Sequence, residues 1–415
     1  MKLVKMSLLA ATLIASSAFA IDNVKVSGDA KLFYSTDDAA ENVADASLFN
    51  RDSSAGQAAL GLGVTADLTE GISAGAHLTA LSAMGLTNIV SNVWEAELTD
   101  EFWFDEAWIA GTYGKTTAKV GRMELDTPLV FTETWSIAKN TFEAGVLINQ
   151  DIPDTTLVGA YVGEHNSGGG AAATGRFAGV VAGFGGGTAN TNFGLVNGGK
   201  GAYALGAVNN SWKPLTVQGW FYNLPSAANA YWVQADLAMD MGLLVGGQFT
   251  GIQAKNVAAG DDANTAFAAM AGYELKDVVT VTAAFSQTGK NDNNIGVGGN
   301  VFGTGQSKLY TETWWNYGYI TRTDTTAFNV TAKTPESLTY AALGLYFTQA
   351  TVGENDTGAD RKQDMMELTL EASKSFGPLD ASLVYIMTDA EDNNVDTNGD
   401  NQTFNTVQAY LTYNF

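Results

Sequence analysis

A group of charged side chains between positions 122 and 143 could select ions by their electrostatic field. Its members are Arg122, Glu124, Asp126, Glu133, Lys139 and Glu143. The carboxylates outnumber the cations, and carboxylates gathered at a narrow passage with low-dielectric walls focus a field that attracts cations. If this segment lines such a passage, the sequence predicts a modest preference for cations.

Three lysines provide an opposing set of charges. Lys25, Lys31 and Lys119 occupy strand positions of the parity opposite to their apolar neighbours, so they could form a short basic strip on an inner wall. A strip that faces carboxylates across a passage would give a transverse field and little net selectivity, and both outcomes remain open. Arg122 shares the parity of apolar Val120 and must lie at a rim or beyond a bulge to avoid lipid.

Residues 394–399, Asn-Val-Asp-Thr-Asn-Gly, have the oxygen spacing of the first half of a calcium-binding loop. The candidate ligands are Asn394, Asp396 and Asn398. Position twelve of the pattern is Asn405 instead of a bidentate Glu, and no helices are predicted on either side. A solvated acidic loop is therefore the favoured interpretation, with bound calcium as the alternative.

The residues needed for common enzyme chemistry are scarce. The chain has no Cys and two His, His77 and His165, so catalytic triads, zinc sites and thiolate chemistry have almost no material. His77 lies on a polar strand face with Ser73 and Thr79, and no Ser–His pair is evident. We predict that the protein is not an enzyme and has no cofactor.

The elements that must position these charges are strands. In the last segment, 403–415, the apolar residues Val407, Ala409, Leu411, Tyr413 and Phe415 alternate strictly with polar ones. A period of two indicates a strand with one apolar face, and about ten such residues cross a bilayer when tilted. Aromatic residues at the end of the segment fit the interface between membrane and water.

The same pattern recurs along the chain and predicts an all-β protein, a transmembrane antiparallel β-barrel of 18 strands. Short turns alternate with long loops, which places both termini at the short-turn end. Sixteen or twenty strands are alternatives, because residues 84–103 could contain a further pair. The predicted strands are 24–34, 58–66, 72–80, 104–113, 118–124, 143–150, 155–164, 201–209, 214–223, 230–239, 242–253, 265–274, 278–288, 327–333, 338–349, 365–374, 379–389 and 403–415.

The N-terminus indicates export. Lys2 and Lys5 precede an apolar run that ends at Ala18-Phe19-Ala20, which predicts a signal peptide over residues 1–20 and a mature barrel over 21–415. The full chain has a net charge of −23, so nucleic acid is excluded as a partner. Export without a predicted membrane helix is consistent with a multi-pass protein of the bacterial outer membrane that contacts its lipid.

The segment 119–162 resembles the outer-membrane porin D (OprD-like) family and the related major outer membrane porins of Campylobacter-type bacteria. The shared pattern is Val120-Gly121-Arg122, Asp126-Thr127-Pro128-Leu129, Asn140-Thr141-Phe142 and Gly145. The resemblance implies a homotrimeric channel in which the loop at about 125–142 folds back into the barrel. The apolar residues of this loop agree with an inward position, since they are unsuited to a loop in water. A capping or trimer-contact loop is the alternative.

The chain departs from that family in its arginines. Carboxylate-selective relatives line the pore with a ladder of Arg and Lys, but only five Arg follow the signal peptide: Arg51, Arg122, Arg176, Arg322 and Arg361. We therefore expect a porin for passive diffusion of small hydrophilic solutes and ions. The alternatives are a substrate-specific channel for organic acids or small peptides, and a surface adhesin or structural protein. Aromatic residues between 289 and 326 are expected to pack, with stacking on a sugar as the alternative.

Overall fold

The structure, a computed structural model, describes residues 22–39, 47–82, 85, 89–90, 92–93, 102–135, 137–166, 193–255, 257, 263–290, 295–303, 305–353, 363–390 and 403–415. The expected signal peptide and the calcium candidates Asn394, Asp396 and Asn398 lie outside these residues. In the part of the chain that is described, no helix is long and apolar enough to cross a membrane.

Eighteen long strands form one closed antiparallel barrel, which confirms the predicted fold class and strand number. The strands are β1 (Asp22–Asp37), β2 (Ser54–Thr69), β3 (Ile72–Ser82), β4 (Phe102–Tyr113), β5 (Thr116–Met123), β6 (Phe142–Asn149), β7 (Thr155–His165), β8 (Ala202–Asn209), β9 (Leu215–Leu224), β10 (Ala228–Ala238), β11 (Leu243–Ala254), β12 (Ala263–Leu275), β13 (Val279–Thr288), β14 (Thr325–Thr334), β15 (Ala342–Val352), β16 (Gln363–Phe376), β17 (Leu379–Ala390) and β18 (Phe404–Asn414).

Short elements accompany the long strands. Two-residue strands at Asn92–Val93 and Gly194–Leu195 pair with β2 and β7 but are too short to cross a bilayer. The chain also forms 3-10 turns at Arg51–Ser53 and Val196–Gly199. A single helical turn, Glu336–Thr339, precedes β15, which is why that strand begins later than its apolar pattern predicts.

The barrel closes where β1 pairs with β18, from Asp29 opposite Asn414 to Asp37 opposite Thr406. The last residue extends this pairing, because the backbone N–H groups of Gly28 and Phe415 each donate to the other residue's carbonyl, at 2.8 and 2.9 Å. A Cβ atom at Gly28 would lie 2.4 Å from the Phe415 ring. Glycine therefore leaves the space that the terminal aromatic side chain fills.

The two faces of the strands differ in chemistry. One face exposes large apolar side chains around the barrel, among them Val26, Leu62 and Leu205. The other face carries buried polar residues such as Thr250, Thr369 and Gln408. An apolar exposed band on a closed barrel is a lipid-facing surface, so the polar face is the inner wall. Alternation along each strand thus sends one set of side chains to the membrane and the other to the lumen.

Two long loops pack against the inner wall. The loop 124–141 joins β5 to β6, and the loop 295–324 leads into β14; both leave the end of the barrel opposite the short turns. Buried apolar residues of the two loops form one cluster with inward residues of the wall. The loop residues of this cluster are Leu125, Leu129, Val130, Ile295, Val297, Val301, Phe302, Leu309 and Ile320.

Candidate functional site: the inner wall and its two loops

The loop 124–141 contacts both the wall and the second loop. The backbone N–H of Leu129 donates to the hydroxyl of Tyr222 on β9 at 3.3 Å. The carbonyl of Leu129 accepts from the N–H of Val301 at 2.8 Å. Within the loop, the N–H of Thr132 donates to the carbonyl of Leu125 at 2.7 Å, which makes a tight hairpin. The apolar residues Leu125, Leu129 and Val130 of this loop are buried in the cluster that it shares with the wall and the loop 295–324.

Lys139 is the centre of the charged contacts made by this loop. Its Nζ lies 2.7 Å from Glu106 Oε1, 3.8 Å from Asp105 Oδ2, and in direct contact with the carboxylate of Glu124. Burial alone would lower the pKa of Lys139, but its hydrogen bonds to Glu106 and Glu124 outweigh that effect and raise it. The structure therefore brings together Glu124 and Lys139 from the predicted set and adds two strand carboxylates to them.

A β-bulge in β4 explains why Asp105 and Glu106 both reach Lys139. His77 of β3 pairs with Glu106, while the next residue, Leu78, pairs with Phe104, so Asp105 is the extra residue. The bulge allows two consecutive side chains to point inward. The sequence carried a signal for it, because the outward apolar positions change from even at Phe104 to odd at Ile109.

The three lysines of the predicted basic strip lie in different environments on the inner wall. Lys31 lies 3.3 Å from Asp29 on the same strand. The Nζ of Lys119 lies 4.1 Å from the centroid of the Trp108 ring, a cation–π contact. Lys25 is exposed near the short-turn end of β1. These lysines do not form a continuous ladder.

Arg122 and Glu143 lie apart from the other predicted site residues. Both occupy outward positions, on β5 and β6, and Arg122 Nη2 donates to Glu143 Oε1 at 2.6 Å. Arg122 also donates to the carbonyl of Phe104 at 2.6 Å and lies 3.7 Å from the centroid of the Phe193 ring. Glu143 thus neutralises the charge of Arg122 on the outward face. The structure does not bring this pair to Lys139.

Glu133 is held in the interface between the two loops. Its side chain accepts hydrogen bonds from Asn300 Nδ2 at 2.9 Å and Trp135 Nε1 at 3.0 Å. The residue is only 4% exposed. A carboxylate in this position links the two loops and is shielded from the lumen. The placement of Glu133 among the ion-attracting carboxylates is therefore not supported by the structure.

Asp126 is the most accessible carboxylate of the predicted set. Its side chain is 90% exposed, although it pairs with Lys308 of the loop 295–324, whose side chain is 33% exposed. Lys308 also lies 4.9 Å from the centroid of the Phe131 ring. This ion pair joins the tips of the two loops, and its partner lysine was not evident from sequence spacing.

The loop 295–324 is anchored by Glu367, a buried inward carboxylate of β16. It accepts hydrogen bonds from the backbone N–H groups of Trp314, Trp315 and Asn316 at 2.6, 3.1 and 2.8 Å. On β11, Gln248 donates to the carbonyl of Lys308 at 2.8 Å. No sequence pattern predicted these contacts, because they join residues that are distant along the chain.

The aromatic residues of this loop pack against protein. The ring of Trp315 lies 5.8 Å from that of Trp135 at an interplanar angle of 82°, an edge-to-face contact between the loops. Tyr317 lies 6.2 Å from Trp135, and Trp314 lies 4.7 Å from Tyr346 of β15. These contacts agree with the packing interpretation of the aromatic residues. Among the described residues, no group of three or more His, Asp or Glu side chains could hold a metal ion.

Comparison with known proteins gives a match of fold. No protein-family model and no curated protein sequence matches the chain. Among solved structures, OccAB3 of Acinetobacter baumannii superposes with a TM-score of 0.69 at 12% identity, over 95% of this chain and 99% of that one. The chain has the fold of the Occ porins. OccK8 (OprE) of Pseudomonas aeruginosa gives 0.67 at 12% identity, over 96% and 99%.

Structures of a second Occ group agree with this result. OccD3 (OpdP) of Pseudomonas aeruginosa superposes with a TM-score of 0.64 at 12% identity, over 94% of this chain and 91% of that one. The shared architecture is a closed antiparallel barrel of 18 strands. At this identity the likeness concerns the fold, so the chemistry of the lumen has to be argued from this chain's own side chains.

Proposed function

We propose that this protein is an outer-membrane porin that allows small hydrophilic solutes and ions to diffuse passively, with a modest preference for cations. In this proposal, residues 1–20 are a signal peptide, and the mature barrel assembles as a homotrimer. The likeness of residues 119–162 to the OprD-like porins and the Campylobacter-type major porins supports it. The observation that carries it is the closed 18-stranded barrel with a polar inner wall.

Barrel size supports a channel. Side chains fill the interior of an eight-stranded barrel, whereas barrels of 16 to 18 strands enclose an aqueous lumen. In this chain the loops 124–141 and 295–324 occupy part of that lumen and meet at the Asp126–Lys308 pair. We propose that the passage is narrowest beside this pair and beside Glu124 and Lys139.

The exposure of the paired charges favours cations. Asp126 is 90% exposed and Lys308 33%, and Glu124 is 46% exposed and Lys139 20%. In each pair the carboxylate faces water more than its lysine does, so an ion in the lumen meets the negative partner first. Exposed loop charges at the mouth of the barrel are screened within about 8 Å at physiological salt. Charges at a narrowing have a stronger effect on an ion, because low-dielectric walls focus their field.

The arginines give no support to an anion-selective ladder. Of those in the described part of the chain, Arg122 points outward and Arg51 lies in a loop beside Asp52. Arg322 lies in the loop 295–324, near the ring of Tyr319. A channel specific for organic acids would need several unpaired cations along one wall, and Lys31 and Lys139 are both paired with carboxylates.

Planar-bilayer recordings test the proposal. Purified wild type is expected to form channels, and its reversal potential in a tenfold salt gradient should report cation preference. The double substitution Asp126→Asn with Glu124→Gln should remove most of that preference, because it neutralises the exposed member of each pair. Glu143→Gln, on the outward face, is the matched control. Anion selectivity in the wild type, or a cation preference untouched by the double substitution, would show that other residues determine selectivity.

A further inference from the structure

His77 lies on the inner wall and has no role in the function proposed above. It belongs to β3, and its two ring nitrogens face carboxylates on different strands. Nδ1 lies 2.6 Å from Asp105 Oδ1 on β4, and Nε2 lies 3.8 Å from Asp29 Oδ2 on β1. The ring thus spans from β1 to β4 across the intervening strand β2.

Two glycines on β2 make this bridge possible. Gly61 is opposite Asp29, and Gly63 is opposite His77, with both glycines on the inward face. A Cβ atom at Gly61 would lie 2.6 Å from Asp29 Oδ2 and 2.9 Å from His77 Nε2. Any side chain at this position would separate the two groups. The bare stretch of β2 therefore permits a contact between residues two strands apart.

Two carboxylates that face the two ring nitrogens favour a charged imidazole. A neutral imidazole has one N–H and one lone pair, so one of its nitrogens would turn a lone pair toward a carboxylate. The imidazolium has two N–H groups and matches both carboxylates. Asp105 is itself kept as an acceptor, because it also takes a hydrogen bond from Thr79 Oγ1 at 3.1 Å and lies 3.8 Å from Lys139 Nζ.

His77 completes a balanced set of charges on the wall formed by β1 to β5 and the loop 124–141. Ion pairs and electrostatic contacts link eight charged residues into one network. The cations of this network are Lys31, His77, Lys119 and Lys139, and its anions are Asp29, Asp105, Glu106 and Glu124. With a charged His77 the cations equal the anions, and with a neutral residue at position 77 one negative charge remains in excess.

We infer that His77 is a specificity-determining residue: as an imidazolium that bridges Asp29 and Asp105 across β2, it cancels one negative charge of the inner wall and limits the cation preference of the channel. This inference rests on the proposed porin function. It assigns the two histidines different roles, because His165 is buried at the C-terminal end of β7, with its ring 4.8 Å from that of Phe302.

Reversal potentials in a tenfold salt gradient test the inference with three variants. His77→Gln should raise the cation-to-anion permeability ratio by about two-fold or more, since the unbalanced charge lies beside a focused field. His77→Lys, which restores a positive charge, should bring the ratio back toward the wild-type value. His165→Gln is the control and should leave the ratio unchanged. Heat-modifiable migration of each variant verifies that the barrel has folded.

A measurement on the unaltered protein checks the same point without relying on variants. In protein labelled with ¹⁵N-histidine, the His77 nitrogens should both carry protons at neutral pH, and the chain's only other histidine, His165, can be assigned by substitution. A neutral His77 ring would overturn the inference, as would an unchanged ratio in His77→Gln or an equal rise in His77→Lys. Failure of the wild type to form channels would instead overturn the proposed function.

Discussion

The two halves of the inner wall use their polar residues differently. On β1 to β5, the charged groups pair with one another and with Lys139, and they leave carboxylate oxygens facing the lumen. On β9 to β16, inward groups such as Gln248 and Glu367 bind the backbone of the loop 295–324. One half therefore presents charge to the lumen, while the other half holds a loop in place.

This contrast shows that a buried carboxylate and an exposed one have separate tasks in the same lumen. Glu367 and Glu133 are covered and accept several hydrogen bonds each, so they determine where the loops lie. Asp126 and Glu124 are exposed and contribute to the field. Changes to the first kind should alter conductance, and changes to the second kind should alter selectivity.

Deletion of Val130–Ile137 should give the largest effect. These residues include the buried apolar part of the loop 124–141 that packs against the wall and the second loop. Without them the lumen should widen, and single-channel conductance should rise while the barrel remains heat-modifiable. Unchanged conductance in a correctly assembled deletion variant would assign this loop to capping or to contacts between subunits.

Glu367→Gln should have the next largest effect. The substitution replaces a carboxylate that accepts three backbone N–H groups with an amide whose NH₂ group opposes them, at a cost of about 2 kcal/mol to loop docking. We expect higher conductance, more current noise and faster proteolysis of the loop 295–324. Glu371→Gln, on the same face of the same strand, is the control, since Glu371 accepts from Tyr346 and Ser382 of neighbouring strands. Equal behaviour of the two variants would contradict the anchoring role.

A smaller, pH-dependent effect is expected at Glu312, in the same loop. Burial raises the pKa of Glu312 to about 7, although hydrogen bonds from Ser307 and Thr313 oppose the rise. The ordinary pKa of this carboxyl group is 4.5. Its contribution to the stability of the docked loop is therefore complete below pH 4.5 and is lost as the pH rises through about 7. Proteolysis of the loop should be slower at pH 5 than at pH 8.

The variant Glu312→Gln should show the same rate of proteolysis at both pH values, because an amide does not titrate. A wild-type loop that is cleaved equally fast at pH 5 and pH 8 would remove Glu312 from the account of loop docking.

Local patterns sufficed to predict the barrel but only part of the site. Period-two alternation in segments such as 403–415 identified each wall strand, since side-chain direction in a strand depends only on parity. Lys139 and Glu124 were found because they are close in sequence. Asp105 was missed because a bulge changed its direction, and Lys308 because its partner Asp126 is 182 residues away. Contacts between distant loops follow from packing, which no local pattern encodes.

Glu133 and Glu143 illustrate the limit of counting charges within a segment. Both are carboxylates of the predicted group, yet one is buried between loops and the other points outward beside Arg122. Parity already placed Arg122 near the outer rim, and applying the same parity to β6 would have placed Glu143 there too. For Glu133 no such rule exists, because a loop has no fixed alternation.

Single-cysteine accessibility tests the central claim most directly, because the chain has no natural Cys. Ser27 lies on the inward face of β1 and is exposed, adjacent Val26 lies on the outward face, and Thr369 is buried on the wall that faces the loop 295–324. A charged, membrane-impermeant thiol reagent should reduce the current through Ser27→Cys channels and leave Val26→Cys and Thr369→Cys channels unaffected. Block of the Val26→Cys or Thr369→Cys channels, or an unreactive Ser27→Cys, would contradict the assignment of the lumen and its loop-covered half.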